Sequence, residues 1–283
     1  MVLSSRMIAR IALFSALSAA LFAQLPMEPP HNSGQSITGA FEGWFANQDG
    51  TFSILLGYYN RNAQEAMDIP VGENNHIDPG GPDYGQPTHF LPGRMWGIFT
   101  IKVPSDFGDR KLSWTIVANG KPTVIPFSLA RDWEVSPFVQ ATGNTPPYIG
   151  FSQAGPFVNG PRGQSTEMTA TAGEPLTITV WVADDAHVIP GMRRPATPAV
   201  ALGWSKYRGP GEVTFSAGHP KIDKAEFSAP KTDFTGTATT TATFSTAGDY
   251  ILRLVANDWT GEGGGGFQCC WSNAMVKVSV RPN

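Results

Sequence analysis

AGDYILRLVANDW at residues 247–259, followed after a glycine-rich loop by NAMVKVSV at 273–280, decides how the chain reads. In the first run Tyr250, Leu252, Leu254 and Ala256 alternate with Ile251, Arg253, Val255 and Asn257, the period of a strand with one face on a core. The second run repeats the pattern, with Ala274, Val276, Val278 and Val280 on one side and Met275, Lys277 and Ser279 on the other. The two are expected to pair antiparallel as the last strands of a sandwich.

The rest of the composition agrees. A chain of 283 residues is long enough for two ordinary domains, each with its own core. Only 15% of residues are charged, while 31 glycines and 24 prolines punctuate the chain, which favours short strands and tight turns over helices. The expected fold class is all-β: two β-sandwich, immunoglobulin-like domains after an N-terminal signal peptide. The leader covers residues 1–23, where Arg6 and Arg10 precede IALFSALSAALFA, a run shorter than the ~20 residues a span needs and ending in small residues. Cleavage between Ala20 and Gln24 would place the protein in the periplasm or outside the cell without a stable transmembrane anchor; an anchor that stays is the competing reading. Losing the two leader arginines takes the net charge from −3 to −5. No block of lysine and arginine interleaved with aromatics occurs, so nucleic acid is not an expected partner.

Residues 36–133 read as the first sandwich. FEGWF and TFSILLGYYN flank NQDG, KLSWTIVA and KPTVIPFSL flank Asn119-Gly120, and Asp-Gly and Asn-Gly are favoured hairpin turns. MWGIFTIKV supplies a further strand. Phe52, Ile54, Leu56 and Tyr58 on one face, with Leu55 and Tyr59 on the other, imply a sheet covered on both sides, by a second sheet and by a loop or the neighbouring domain. Residues 134–165 read as a Pro/Gly-rich linker and entry to the next domain, part of which packs through Tyr148, Phe151 and Phe157. Residues 166–283 read as the second sandwich, with strands in LTITVWVADD, AVALGWSKYRGPGEVTF and TGTATTTATF ahead of the opening stretch.

WSKYRGPGEVTF followed by TATFSTAGDYILRLVAND resembles the polycystic-kidney-disease (PKD) type of immunoglobulin-like domain, over roughly residues 145–281. The match rests on Trp204, Gly209, Pro210, Gly211, Phe215, Gly248, Tyr250, Leu252, Leu254 and Asp258, with Trp204 at the centre and Tyr250 placed for a tyrosine corner. The resemblance implies a non-catalytic spacer or interaction module. Residues 37–130, through YNRN, DIPVG and GQPTHF, are similar to a segment of uncharacterised secreted bacterial proteins, which implies export and no particular activity.

Two loops hold the candidate chemistry. DIPVGENNHIDPGGPDYGQPTHFLPG at 68–93 has prolines and glycines throughout and is expected to lack regular structure. Its Asp68, Asp78, Asp83, His76 and His89 offer a metal site, Ca²⁺ being suited to the oxygens, but their spacing fits no defined ligand motif. A self-packed cover over the sheet and a ligand or partner surface are the other readings. TGEGGGGFQCCW at 260–271 holds the only cysteines. In an oxidising compartment Cys269 and Cys270 would bond to each other or to another chain. With Trp259, Phe267 and Trp271 they form either an apolar binding knob, a crosslink or a plug in the end of the core. Asp184, Asp185 and Asp258 either clasp a cation or finish strands with turn hydrogen bonds.

Enzymatic readings have little support. No G-x-S-x-G nucleophile turn and no H-E-x-x-H helix motif occurs. The expected function is therefore an exported non-catalytic β-sandwich protein, a surface binding or assembly component whose partner is an extracellular glycan or protein, or a second copy. A carbohydrate-binding or adhesion module, with Ca²⁺ or without, and a metal-dependent hydrolase centred on the 68–93 loop are the alternatives.

Overall fold

The computed structural model describes residues 31–188, 191, 193, 194, 197–260 and 269–283. The expected leader and Phe267 lie outside the described residues. From Asn32 to Asn283 the chain forms one compact unit. It is all-β; among the described residues the one helical element is a 3-10 turn, Arg131–Trp133, and no helix is long and apolar enough to cross a membrane.

The first eight strands are β1 (Ile37–Ala46), β2 (Phe52–Asn60), β3 (Met67–Asp68), β4 (Asn75–Asp78), β5 (His89–Phe90), β6 (Gly93–Val103), β7 (Leu112–Ala118) and β8 (Lys121–Phe127). They make a sheet in the order β1-β2-β6, a facing sheet β4-β7-β8 and a small pair β3-β5. Both expected hairpins form. Asn47 N–H donates to Thr51 O across the first, and in the second Asn119 and Gly120 have φ of 51° and 71°, the left-handed pair that a two-residue turn matching strand twist requires. Between the sheets Ile54, Leu56, Phe90, Trp114 and Ile116 form a fully buried core.

The remaining strands are β9 (Tyr148–Gly150), β10 (Val158–Asn159), β11 (Gln164–Thr171), β12 (Pro175–Asp184), β13 (Ala201–Arg208), β14 (Val213–Phe215), β15 (Asp223–Lys224), β16 (Phe234–Phe244), β17 (Gly248–Asn257) and β18 (Trp271–Arg281). One sheet runs β10-β9-β12-β16-β14, with β15 also on β16, and the other runs β11-β18-β17-β13. As expected, β17 and β18 pair antiparallel, Tyr250 opposite Val278. β18 is not the edge, because β11 adds to it in parallel. The chain thus lends β9 to one sheet and β11 to the other, an immunoglobulin-like arrangement of two sheets over one core. Tyr250, Leu252, Leu254 and Ala256 meet Ala274, Val276 and Val278 in that core. Trp204 packs there against Phe215 at 6.1 Å, and Tyr250 Oη donates to Thr246 O at 2.9 Å to make the tyrosine corner. Gly209, at φ 147°, leaves room for the Tyr250 ring, which any Cβ there would strike.

Two expectations are corrected and a third is met in part. The 68–93 loop carries β4 and β5 and shares Asp68 with β3, because β4 finds an open edge on β7 and its backbone groups are satisfied there. The 134–165 segment holds β9 and β10 and starts β11, so it is built into the second sandwich: β9 pairs with β12. On the outer face of β2, Leu55 is covered by Val255 and Trp271, whereas Tyr59 stays exposed. That covering has a counterpart across the junction. Arg253 and Val255, on the face of β17 away from its own core, are buried, and Ile251, Met275 and Tyr207 pack into the first core.

Candidate functional site

The 68–93 loop is organised by Asn75, which is fully buried. Its Nδ2 donates to Ile69 O at 2.9 Å and Pro87 O at 2.8 Å, and its Oδ1 accepts from Trp114 Nε1 at 2.9 Å. An asparagine in β4 thus holds two distant parts of the loop and the central indole together. The loop's charged groups then meet β13. Asp68 accepts from His89 Nδ1 at 2.9 Å and from Lys206 Nζ at 3.0 Å. Asp83 takes both Nη atoms of Arg208 at 2.8 and 2.9 Å, and Arg208 Nε also donates to Gln86 O at 2.8 Å. Between them Tyr207 Oη donates to Gly85 O at 2.5 Å and Tyr207 O accepts from Thr88 N–H at 3.1 Å. Burial holds the Tyr207 phenol neutral, well above its ordinary range, while the Arg208 guanidinium holds the Asp83 carboxyl below the usual carboxylate range. Lys206 is almost completely buried, so its ammonium depends on Asp68, and removing that carboxylate would leave a buried charge uncompensated.

His76 and Asp78 stand apart as a pair at 3.2 Å, with the His76 Nδ1 on the carbonyls of Gly72 and Glu73. The five residues read as metal ligands are therefore divided among three places, and the loop is a latch onto β13. Among the described residues, no three His, Cys, Asp or Glu side chains gather as a ready metal set.

The cysteine loop also turns inward. Cys269 and Cys270 are bonded to each other, and neither is free for an interchain bridge. They and Trp271 are buried, which of the three readings of this loop accords with the plug. The reason lies on the opposite side. Gly97, at φ +48°, brings its backbone against the Trp271 ring where any Cβ would clash, and Leu55 and Val255 close the contact. Asn273 Nδ2 donates to Gly97 O at 2.7 Å and to Pro161 O at 3.1 Å. Trp259 is half-buried, its Nε1 donating to Thr197 O at 3.2 Å and Arg194 lying over its ring.

Two shallow concavities flank the junction. One, of about 590 Å³, lies over β11, β17 and β18, between Glu167, Lys277, Asp249 and Ile251. The other, of about 420 Å³, is lined by Asn47, Gln48, Asp49, Ser53, Thr100, Lys102 and Arg162. Its groups are held in place by one another: Asn47 Nδ2 bonds Thr51 and Ser53 at 2.9 and 3.0 Å, Lys102 Nζ meets Asp49 Oδ2 at 2.7 Å, and Arg162 Nη1 reaches Asn47 Oδ1 at 3.2 Å. Lys102 and Thr51 hold the Asp49 carboxyl below its ordinary range. Arg162 is seated over Phe138 and Phe45, 4.6 and 5.8 Å from the ring centres.

Sequence reasoning passed over Lys206, Arg208, Lys102 and Arg162. Lys206 and Arg208 left one trace, since they flank Tyr207 on the strand that also carries Leu202 and Trp204. Arg162 left none, because its hydrogen-bond partner Asn47 is 115 residues away.

No protein-family model and no curated protein matches the chain. Among solved structures it is similar to a family 123 glycoside hydrolase from Clostridium perfringens, at 9% identity and TM-score 0.25, covering 42% of this chain and 23% of that one. It is also similar to the D00-D0 domain of intimin, at 11% identity and TM-score 0.25 over 86% and 99% of the two chains. Cadherin-like domains 1 to 4 of zebrafish RET are similar at 12% identity and TM-score 0.28 over 77% and 45%. The chain spans less than a quarter of the hydrolase, and likeness at this level carries no conclusion about activity.

Proposed function

We propose that the protein is an exported, non-catalytic β-sandwich component that binds an extracellular polar ligand, a glycan, in the notch between its two cores. The observation that carries this reading is the set of side chains around Arg162: amides, a hydroxyl pair, a carboxylate and two cations, already ordered by mutual hydrogen bonds. Neighbouring sugar hydroxyls both donate and accept, and such a mixed set answers both needs. A network in place before binding lowers the ordering cost. The latch between the 68–93 loop and β13 supports the same reading, since it engages Asp68, Asp83 and His89 in joining the two sandwiches rather than in chemistry of their own. Export is supported by the leader sequence and by the Cys269–Cys270 bond, which suits an oxidising compartment. A protein partner or a second copy is the other reading, favoured by the open concavity over β11, β17 and β18.

The test is retention of the mature protein on a panel of neutral and acidic polysaccharides. A Lys102→Ala/Arg162→Ala variant removes two charged hydrogen-bonding groups, each worth about 1.5–3 kcal/mol, and is expected to lose at least ~10-fold in affinity with an unchanged melt. Retention unaltered in that variant, or no retention on any member of the panel, overturns the proposal.

A further inference from the structure

Four buried side-chain atoms among the described residues have no hydrogen-bond partner, and all four lie at one end of the second sandwich: Asn144 Oδ1, Asp184 Oδ2, His187 Nε2 and Asn257 Oδ1. Chain geometry explains why they meet. β12 ends at Asp184 and β17 at Asn257, and Asn144 precedes β9, whose Tyr148 pairs with Ala183. Asp184 and Asn144 are each 1% exposed. A buried oxygen that loses water and gains no donor is costly, by roughly 1–3 kcal/mol for a neutral group and more for a charged one.

The surroundings are negative. Asp184 and Asp258 use one oxygen each on a turn, to Ala186 N–H at 2.8 Å and Thr260 N–H at 2.7 Å, and Asp185 does the same with His187 N–H at 3.1 Å. These are the strand-ending bonds expected of such residues, and they leave the second oxygens. Asp258 Oδ2 faces Asn144 Nδ2 at 2.5 Å, and Asp185 Oδ2 accepts from Thr145 Oγ1 at 2.6 Å. Asp184 Oδ2 is left without a donor. The cation beside the group is Lys231, 3.9 Å from Asp185 and partly exposed. Asp184 therefore holds its proton up to about 8, chiefly through burial and also through repulsion from Asp185 and Asp258. The disulfide borders the same place: the Asn144 carbonyl oxygen lies 4.0 and 3.6 Å from the sulfurs of Cys269 and Cys270.

We propose that this end of the sandwich binds one hard divalent cation, Ca²⁺, through Asp184 Oδ2, Asn144 Oδ1 and Asn257 Oδ1, with Asp258 completing the negative side. Amide and carboxylate oxygens together are the donors Ca²⁺ takes, and water fills the rest of its shell of about six to eight ligands. The donors are two amides and a carboxylate rather than three acids, so they form a different set from the gathered acids, thiols and imidazoles that are absent among the described residues. An ion here would satisfy three of the four unpartnered atoms at once.

The experiment is thermal unfolding of the mature chain at pH 7 in chelator, in ~1 mM Ca²⁺ and in ~1 mM Mg²⁺, with calorimetric titration of Ca²⁺ and native mass spectrometry alongside. The expected result is a rise in Tm of several degrees with Ca²⁺, a smaller one with Mg²⁺, and one Ca²⁺ per chain. Asp184→Asn, which has the shape of the protonated acid, should melt in chelator at or above the wild-type temperature and lose the Ca²⁺ response. If that variant does not fold, loss of the one-ion adduct in Asn144→Ala decides the matter. The absence of a Ca²⁺-dependent shift and adduct in the wild type, or a full response in Asp184→Asn, overturns the proposal.

Discussion

Replacing Trp271 by alanine separates a surface binding residue from a structural one. The ring is 1% exposed, touches Leu55 and Val255, and donates through Nε1 to Gly97 O at 3.4 Å. Its removal leaves a cavity bounded on one side by the glycine backbone and on the other by two strands that cannot close it without breaking their pairing. Truncations of a fully buried tryptophan cost about 3–5 kcal/mol. For a folded unit of this size each kcal/mol lowers Tm by roughly 2–4 °C, so the expected drop is about 6–20 °C. Urea unfolding followed by near-ultraviolet circular dichroism gives the loss directly, and ligand retention at a temperature where the variant stays folded should be unchanged. A stability change under about 1 kcal/mol accompanied by lost retention would refute the reasoning and return Trp271 to the surface.

Asn75→Ala should destabilise by about 3–5 kcal/mol in the same urea assay, since it leaves Ile69 O, Pro87 O and Trp114 Nε1 without their partners; a cost below about 1 kcal/mol would show that the loop does not depend on it. The pH dependence in chelator follows from Asp184, whose carboxyl is pushed by burial from its ordinary 3.8 up to about 8 in the folded chain. Over that interval the folded chain holds a proton that the unfolded chain has released, so stability is greatest near the acid end and falls as pH rises towards 8, by at most ~1.4 kcal/mol per unit. The group faces Asp185, Asp258 and Lys231, with His187 nearby, and Asp184→Asn should flatten the slope; an equal slope in that variant would assign it elsewhere.

Much of the fold was legible because alternation survives in the strands that matter. β17, β18 and β12 each place one apolar face on a core, and Asn119-Gly120 marks its hairpin without ambiguity. The two-sided apolar character of β2 correctly announced a covered sheet, although period alone could not say that Val255 and Trp271 would do the covering. The 68–93 loop was misread as irregular because its strands are two to four residues long, too short for a periodic signal, and depend on pairing with β7 and on Asn75. The candidate sites were less legible. Local composition drew attention to His76, His89 and the cysteines, yet the notch around Arg162 and the unpartnered oxygens at Asp184 arise from residues up to 115 positions apart. An aromatic beside a glycine-rich loop has the same sequence whether it faces water or a second core, and Trp271 faces the core.

Ligand binding in the notch beside Arg162 is tested most directly by hydrogen–deuterium exchange of the mature protein with and without its retained polysaccharide. The expected footprint is slowed exchange in the β1–β2 turn at residues 47–53, in β6 around Thr100 and Lys102, and in the segment around Arg162. Protection confined instead to β11, β17 and β18 around Glu167, Asp249 and Lys277 would contradict the account and move the binding surface to the other concavity.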